Sequence, residues 1–299
     1  MKKCLVTGGA GFIGSNLVDE LIRRGDEVIV LDNLSTGKKE QVNPKAKFIE
    51  TDLRDFDKIK DYFKGVDYVF HVAALARVQP SIENPITYND HNVNSILNVL
   101  VAAKDAGVEK LVYSASSSAY GDQEDGELTE DMVAHPVSPY GLQKYIGEEY
   151  CRLFSEVYKL PTICLRYFNV YGARMVLEGA YAPVIGIFAT QKKTGEPLTI
   201  VGDGKQKRCF TYVKDIVRAN LLASASDVSD GRPINTGGSR EYSVNAIAEM
   251  IGGPTTGIPP RIEPRRNKCN NSLASELLNW ETQMELDKWI VGYKKEMEI

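Results

Sequence analysis

The sequence predicts an α/β protein with a doubly wound parallel sheet and a smaller C-terminal lobe. Three observations lead to this prediction. Short apolar runs alternate with segments of helical periodicity over residues 1–171, and a glycine-rich turn follows the first apolar run. Beyond residue 172 this regular alternation of strand and helix patterns is lost. Strands regularly separated by helices form βαβ units, whose parallel sheet is covered on both faces. We expect residues 1–171 to form the sheet domain and 172–299 most of the lobe, with some elements returning to the sheet.

Each element has its own signal in the first half of the chain. KCLVTGG predicts a strand closed by glycines, GSNLVDELIRRG a helix, and DEVIVLDN a second strand. The pattern continues with the strand AKFIETDL, the helix DFDKIKDYFKG, the strand VDYVFHVAA, the helix DHNVNSILNVLVAAKDAG and the strand VEKLVYSAS. A helix opened by Ser138 and Pro139 runs to about Tyr158, and LPTICLRYFNVYG predicts another strand. Beyond residue 172, glycine and proline become frequent and the elements shorten.

Composition narrows the functional classes. The net charge is −4 with no long basic run, so nucleic acid is not an expected partner. No apolar stretch approaches the roughly 20 residues that span a bilayer, and the chain enters a strand pattern without a signal peptide, so we expect a cytoplasmic protein with no membrane partner. Five cysteines without CxxC spacing argue against a disulfide framework and a zinc site. We expect no metal site and structural roles for His71 and His91.

The turn TGGAGFIGS between the first strand and helix has the features of a dinucleotide site. Gly8, Gly11 and Gly14 would permit a tight turn, let a pyrophosphate approach the backbone and let the helix pack on the strand. Asp32 ends the second strand, where a carboxylate can accept both hydroxyls of an adenosine ribose and repel a 2′-phosphate. This favours NAD over NADP, although LDN could also be a simple strand-end turn.

Tyr140 and Lys144 stand four residues apart and therefore share a face of the predicted helix. A tyrosine ordinarily titrates near 10, so making it a base near neutrality means lowering its pKa by about 3 units, about 4 kcal/mol. A cation about 4 Å away at an effective dielectric of about 20 supplies roughly that much. The same spacing also occurs in ordinary pairs on exposed helix surfaces, so the spacing alone does not distinguish a catalytic pair from a surface pair.

Ser116 follows the fifth strand, at the carboxyl edge where such sheets bind ligands. The loop and helix start that follow could return Tyr140 to the same place. A hydroxyl beside a phenol with a lowered pKa and a nicotinamide is what hydride transfer from an alcohol requires. Serine clusters are also common in simple loops.

These motifs together resemble the extended short-chain dehydrogenase/reductase family, in particular its UDP-glucose and UDP-N-acetylglucosamine 4-epimerases. LRYFNVYG, GDGKQKRCFTYV and EPRRNKCNNSLA resemble its substrate-lobe motifs in order. The resemblance implies a Rossmann sheet, NAD as cofactor, a UDP-sugar substrate and a homodimer. It implies that Tyr140 is the catalytic base, that Lys144 lowers its pKa and holds the nicotinamide ribose, and that Ser116 hydrogen-bonds O4.

The resemblance also implies two sets of binding residues. The cofactor set comprises Gly8, Gly11, Phe12, Ile13, Gly14, Asp32, Asn33, Ser35, Thr36, Gly37, Asp52, Leu53, Val72, Ala73, Ala74, Ser114, Tyr140, Lys144 and Tyr167. The substrate set comprises Ser116, Ser117, Tyr140, Asn169, Val184, Thr199, Val201, Arg208, Arg265 and Ser272. Within it, Asn169, Arg208 and Arg265 are expected at the diphosphate.

Two features bear on the reaction and the sugar. Related dehydratases carry Asp-Glu directly after the catalytic Ser or Thr, where this chain has Ser117 and Ser118, so dehydration and decarboxylation are disfavoured. C4 epimerisation remains, with UDP-glucuronate epimerisation or another NAD-dependent oxidoreductase as the alternative, and a non-catalytic NAD sensor as a rival class. The family position beside C2 of the sugar falls on Ser272, whose small side chain predicts that N-acetylated sugars are accepted.

The chain departs from the family pattern in two places. Cys209 replaces an aspartate beside Arg208, so we expect that arginine to be held less rigidly. The family pattern continues after NNSLA through an Asp-x-Ser-Lys segment, whereas here Ser275 leads directly into ELLNW, so this C-terminal part is shortened.

Overall fold

The computed structural model describes residues 1–123, 126–177, 179, 182–260 and 265–299, and the elements below are those of this part of the chain. The strands are β1 (Lys3–Thr7), β2 (Glu27–Asp32), β3 (Lys47–Glu50), β4 (Tyr68–His71), β5 (Lys110–Ser116), β6 (Glu127–Leu128), β7 (Thr162–Tyr167), β8 (Val170–Tyr171), β9 (Leu198–Val201), β10 (Lys207–Cys209), β11 (Thr211–Tyr212), β12 (Asp230–Thr236), β13 (Glu241–Ser243), β14 (Thr255–Ile258) and β15 (Arg266–Cys269). The helices are α1 (Phe12–Arg23), α2 (Phe56–Ile59), α3 (Val78–Glu83), α4 (Pro85–Asn89), α5 (Ser95–Ala106), α6 (Pro139–Tyr158), α7 (Val184–Thr194), α8 (Val213–Ala225), α9 (Val244–Ile251), α10 (Ser272–Leu278) and α11 (Leu286–Met297).

The large sheet has seven strands in the order β12-β7-β5-β4-β1-β2-β3, and each neighbouring pair is parallel. The chain runs outward from β1 to β2 and β3 and then returns to β4 on the other side of β1. This reversal opens a crevice at the carboxyl ends of β1 and β4, where doubly wound sheets bind ligands. The predicted doubly wound α/β fold is confirmed.

Helices cover both faces of this sheet. Leu5 of β1 belongs to an apolar cluster with α5 and α6, whereas Cys4 and Val6 belong to a second cluster with α1, α8 and α10. Successive side chains of a strand point to opposite faces, so a sheet buried on both faces needs apolar residues at nearly every position. This explains the continuous apolar runs in the sequence.

The C-terminal part of the chain builds a third apolar cluster from α7, β9, α9 and α11. β12 belongs to the large sheet, beside β7. A smaller sheet in the order β13-β10-β15-β6 joins the segment after β5 to the C-terminal segment. In the described part of the chain, no helix combines the length and apolar character needed to cross a membrane.

Two predicted helices differ from the observed ones. The helix expected over residues 55–65 ends at Ile59 and continues as a 3-10 turn over Lys60–Phe63. The helix expected from Asp90 begins as a π turn over Asp90–Asn94, directly after α4. In both places the apolar spacing indicates a helix but cannot distinguish the tighter and wider turns, because these differ only in which carbonyl accepts each hydrogen bond.

Candidate active site

A cavity of about 630 Å³ lies at the carboxyl edge of the large sheet. Of the expected cofactor set, its lining includes Gly8, Gly11, Phe12, Ile13, Gly14, Asp32, Asn33, Ser35, Thr36, Asp52, Leu53, Val72, Ala73, Ala74, Ser114, Tyr140, Lys144 and Tyr167. Of the expected substrate set, it includes Ser116, Ser117, Tyr140, Asn169, Val184, Thr199, Val201 and Arg208. Gly37, Arg265 and Ser272 are not part of this lining.

The glycine turn forms one end of the cavity. Gly8 has φ +70°, and a Cβ built there would lie 2.7 Å from the Ala73 backbone. A Cβ on Gly14 would lie 2.1 Å from the Gly8 carbonyl oxygen. The turn can therefore close only with glycine at these positions, and it brings the N-terminus of α1 to the cavity. Backbone N–H groups at a helix N-terminus suit a diphosphate.

Asp32 is held beside this turn by its neighbours' backbone. Its two carboxylate oxygens accept hydrogen bonds from the N–H groups of Ala10 (3.0 Å) and Leu34 (2.8 Å). Burial raises the pKa of Asp32, and these two hydrogen bonds oppose the shift. Each oxygen keeps lone-pair capacity for a ribose hydroxyl, because a carboxylate can accept about four hydrogen bonds. The cradle of glycines and this carboxylate fit NAD.

Tyr140 lies at the first turn of α6, as the sequence predicts. The Ser138 hydroxyl accepts a hydrogen bond from the Gly141 N–H at 3.1 Å, and Pro139 occupies the first helical position. Ser116 lies beside the Tyr140 phenol, and both residues line the cavity. Burial raises the pKa of Tyr140, whereas the Ser116 hydrogen bond and the positive charge of Arg77 lower it. The serine at the end of β5 and the tyrosine on α6 therefore meet in one cavity.

The Lys144 ammonium is held by the backbone of β5. It donates to the Ser114 carbonyl at 2.7 Å and lies 5.0 Å from the centre of the Tyr113 ring. Burial lowers the pKa of Lys144 to about 8. The positive charge that lowers the pKa of Tyr140 in this structure is that of Arg77, and the role of Lys144 towards the phenol stays a prediction.

The diphosphate candidates divide into two groups. Asn169 has φ +33° and donates through Nδ2 to the Cys209 carbonyl at 2.9 Å, so its backbone and side chain are fixed at the cavity. Arg208 reaches the cavity from β10. Arg265 instead is exposed and pairs with Asp203 at 2.6 Å.

Ser272, the residue expected beside the sugar, does not line the cavity. Ser272 is exposed at the start of α10, where its N–H donates to Asn270 Oδ1 at 2.9 Å. Asn267 of β15 lines the cavity and is 8% exposed, and its Nδ2 donates to Ser117 Oγ at 3.2 Å. The reason is register: β15 pairs with β10 through Arg208 and Asn267, which brings Asn267 to the cavity before the chain turns into α10.

Gly37 makes a structural contact rather than lining the cavity. A Cβ built on it would lie 2.8 Å from the Ala10 backbone, and the next residue, Lys38, donates its N–H to the Ala10 carbonyl at 2.9 Å. The glycine therefore lets this loop pack on the turn that precedes α1. Cys209 likewise faces the interior, where its Sγ accepts from the Cys269 N–H at 3.3 Å.

The sequence motifs do not identify Arg77 or Asn267 as site residues. Arg77 has a weak sequence signal, since it follows a strand whose carboxyl end faces the ligand crevice. Asn267 has no sequence signal, because its place depends on the pairing of β15 with β10, where its partner Arg208 lies 59 positions earlier in the chain. His91 also lines the cavity. His71 is buried beside Thr7, 2.8 Å from its hydroxyl, and burial lowers its pKa to about 3, which suits a structural role.

Within the described residues, no cluster of three or more His, Cys, Asp or Glu side chains could hold a metal ion.

Comparisons with known proteins place these features in context. A model of the NAD dependent epimerase/dehydratase family matches residues 4–237. A putative UDP-glucose 4-epimerase of Methanocaldococcus jannaschii is 43% identical over 249 residues, which cover 83% of this chain and 80% of that relative. The solved UDP-glucose 4-epimerase of Thermotoga maritima with UDP-glucose is 38% identical with a TM-score of 0.93, covering 99% of this chain and 100% of that one. The UDP-N-acetylglucosamine 4-epimerase of Methanobrevibacter ruminantium, solved with UDP-N-acetylmuramic acid, is 34% identical with a TM-score of 0.92, covering 99% and 97%.

Proposed function

The chain belongs to the NAD-dependent epimerase/dehydratase family, and from this premise we propose that it interconverts the C4 epimers of UDP-hexoses. The observation that carries the proposal is that Tyr140 and Ser116 lie side by side in the same cavity as the glycine turn and Asp32. This arrangement supports a role for Tyr140 as the proton acceptor beside a site that would hold a dinucleotide. It suits reversible oxidation of a secondary alcohol.

The residues divide the reaction between them. Tyr140 takes the proton of the sugar 4-hydroxyl, and Ser116 hydrogen-bonds O4 and orients it. The glycine turn and Asp32 would hold NAD, which would supply the hydride acceptor and donor for reversible oxidation at C4. Tyr140 gives the proton back, so the reaction consumes no cofactor. Lys144, held by the Ser114 carbonyl, would contact the nicotinamide ribose.

Diphosphate binding would leave the sugar free to turn over. Asn169 and Arg208 line the cavity on the side of the C-terminal lobe, together with Val184, Thr199 and Val201. We propose that they hold the UDP group, and that residues 172–299 form most of the substrate lobe, with β12 as a part that returns to the large sheet. A guanidinium suits a diphosphate because it keeps its charge and presents several donors.

The charges in the cavity favour epimerisation over elimination or decarboxylation. In the described lining, the acidic residues are Asp32 and Asp52, and Asp32 lies at the glycine turn. Asp52 accepts a hydrogen bond from the neighbouring Asn33, and its pKa is lowered mainly by its hydrogen bond to Arg54. Ser117 and Ser118 stand beside Ser116, where those other reactions need an acid.

The experiment that tests the function is direct. Purified protein is incubated separately with UDP-glucose and UDP-N-acetylglucosamine without added NAD, and the products are identified by proton NMR. Appearance of the galacto epimer supports the proposal. A net oxidised or reduced product, or turnover that requires stoichiometric NAD, would identify a dehydrogenase or reductase instead.

We now assign to Asn267, instead of Ser272, the position beside the C2 substituent of the sugar. Its Nδ2 reaches Ser117, whereas its buried Oδ1 has no partner within the described residues. An acetamido N–H or a sugar hydroxyl could satisfy that oxygen, which would otherwise remain a buried, unpaired acceptor. We propose that Asn267 borders the C2 substituent and leaves space for an N-acetyl group.

Asn267→Tyr should therefore lower kcat/KM for the N-acetylated pair at least about 10-fold relative to the plain pair, because a bulky ring excludes the larger substituent. The matched control is Ser272→Tyr, an exposed position five residues away that should leave the ratio unchanged. An altered ratio in the control but not in Asn267→Tyr would return the assignment to Ser272.

We also propose a homodimer formed through α5 and α6. Four exposed apolar side chains lie along α6, namely Leu142 in its first part and Leu153, Val157 and Tyr158 in its last part. Exposed apolar groups concentrated on one helix indicate a contact surface, and a second copy presents the same helix. A cytoplasmic location is part of the proposal, since all five cysteines are free and buried.

The dimer prediction is checked by sedimentation equilibrium. Leu153→Glu combined with Val157→Glu should shift the protein to monomer, because two charges would have to be buried. Val291→Glu, at an exposed apolar position of α11, is the control and should leave the mass unchanged. A monomeric wild type at micromolar concentration would contradict the proposal.

A further inference from the structure

Arg77 occupies an unusual place in the cavity wall. It directly precedes α3 and belongs to the segment after β4 that also carries Ala73 and Ala74. Ser81 of α3 accepts a hydrogen bond from the Tyr140 N–H at 3.1 Å. The helix that follows Arg77 is therefore tied to the first turn of the helix that carries the phenol, so Arg77 and Tyr140 are held in one wall of the cavity.

The backbone of Arg77 is strained. Its φ of +89° with ψ of 140° is a conformation that glycine adopts easily and other residues rarely do. The flanking residues hold it there: Asn92 bonds both the N–H (2.8 Å) and the carbonyl (3.0 Å) of Leu75, and the Tyr88 hydroxyl donates to the Ala76 carbonyl at 2.8 Å. A strained arginine where glycine would fit points to a role for the side chain.

The positive charge of Arg77 acts on the pKa of the Tyr140 phenol. The groups around Tyr140 are Ser116 from β5, Arg77 from the segment before α3, and Tyr113 of β5, whose own pKa is raised in part by Tyr140. Lys144 lies one turn along α6 and donates to Ser114. Among these groups, Arg77 is the one whose positive charge lowers the pKa of Tyr140.

Lys144 and Arg77 differ in the pH range over which each side chain stays positively charged. The pKa of Lys144 is lowered to about 8 by burial, so its ammonium is partly neutral in the range where a tyrosine ionises. Burial lowers the pKa of Arg77 as well, but a guanidinium starts from a much higher value and stays protonated in proteins. A guanidinium is therefore the more dependable source of charge beside the phenol.

We propose that Arg77 stabilises the phenolate of Tyr140, the form that takes the proton from the substrate 4-hydroxyl, and so acts on catalysis through Tyr140. This rests on the proposed epimerase function. The reaction stays balanced: the phenolate receives the proton of the 4-hydroxyl, and the C4 hydride would go to the NAD of the proposed reaction.

The test is the pH dependence of kcat in Arg77→Gln and Arg77→Lys. Without the cation, the pKa of Tyr140 rises, so less phenolate is present at a given pH. We expect the acid limb of the profile to move up by about 0.5–1 pH unit in Arg77→Gln, which is about a 3- to 10-fold loss of kcat at pH 7 that recovers at higher pH. Arg77→Lys should restore most of the loss. A loss of equal size at every pH would overturn the proposal.

A second readout does not need turnover. Tyrosine ionisation is followed by absorbance at 295 nm in the wild type and in Arg77→Gln, with Tyr140→Phe subtracted in each background to isolate one phenol. The Tyr140 transition should move to higher pH in Arg77→Gln, and an unmoved transition would overturn the proposal. If the wild type epimerises no UDP-sugar, the proposed function fails while this titration still decides the role of Arg77.

The Arg77→Gly variant distinguishes the effect of the Arg77 charge on Tyr140 from any role of Arg77 in holding the loop. Glycine relieves the strained backbone, so the melting temperature should equal or exceed that of the wild type. The acid limb should nevertheless shift as in Arg77→Gln. A glycine variant that unfolds early and shows an unshifted profile would mean that Arg77 only supports the loop.

Discussion

Tyr140→Phe should reduce epimerisation by about 100-fold or more, because the variant keeps the ring but loses the group that accepts the proton. Removing the hydroxyl costs at most one hydrogen bond, about 1 kcal/mol of folding stability. The fold should therefore remain intact. The rate is measured by NMR with UDP-glucose, and folding by the thermal transition.

Tyr158→Phe is the matched control for this prediction. The same substitution is made on the same helix, at an exposed position that is 51% accessible. It should leave the rate unchanged. A folded Tyr140→Phe protein with near-normal turnover would remove Tyr140 from the mechanism and with it the proposed function.

The largest effect on stability is expected at Glu148 and Arg166. Both side chains are 3% exposed, and two hydrogen bonds of 2.9 and 2.6 Å join the guanidinium of β7 to the carboxylate of α6. The guanidinium also lies 4.4 Å from the centre of the Tyr120 ring. Removing one partner leaves an uncompensated buried charge, so Arg166→Met should destabilise the protein by about 3–5 kcal/mol.

Denaturant unfolding measures this loss, and two further variants define its cause. Glu148→Leu combined with Arg166→Met removes both charges and should recover part of the stability. Arg152→Met breaks ion pairs of the same helix whose arginine is 51% exposed, and should cost less than about 1 kcal/mol. A similar cost for Arg152→Met and Arg166→Met would contradict the assignment of the effect to burial.

The Glu148 carboxylate also bears on the site. It lies one turn beyond Lys144 on α6, and its charge partly offsets the burial that lowers the pKa of Lys144. The buried pair therefore joins the helix that carries Tyr140 to the large sheet and keeps a negative charge behind the lysine. Its loss would change the stability of the fold and the protonation of Lys144 together.

Local signals determined much of this protein from sequence alone. The glycines at 8 and 14 follow from a turn that leaves no room for Cβ atoms, and the cap at Ser138 with Pro139 begins the helix that carries Tyr140 and Lys144. Alternating apolar runs likewise indicated a sheet buried on both faces. Each of these depends on residues a few positions apart, where backbone geometry and side-chain spacing are nearly fixed.

Only the tertiary structure decided which distant groups meet at the site. Asn267 reaches Ser117, rather than Ser272 bordering the sugar, because β15 pairs with β10. Lys144 turns to Ser114, and the charge on the phenol comes from Arg77, because α3 and α6 pack against each other through Ser81. Sequence spacing places side chains on a helix face or strand end, but their orientation follows from burial and from hydrogen-bond partners far away along the chain, which no local pattern contains.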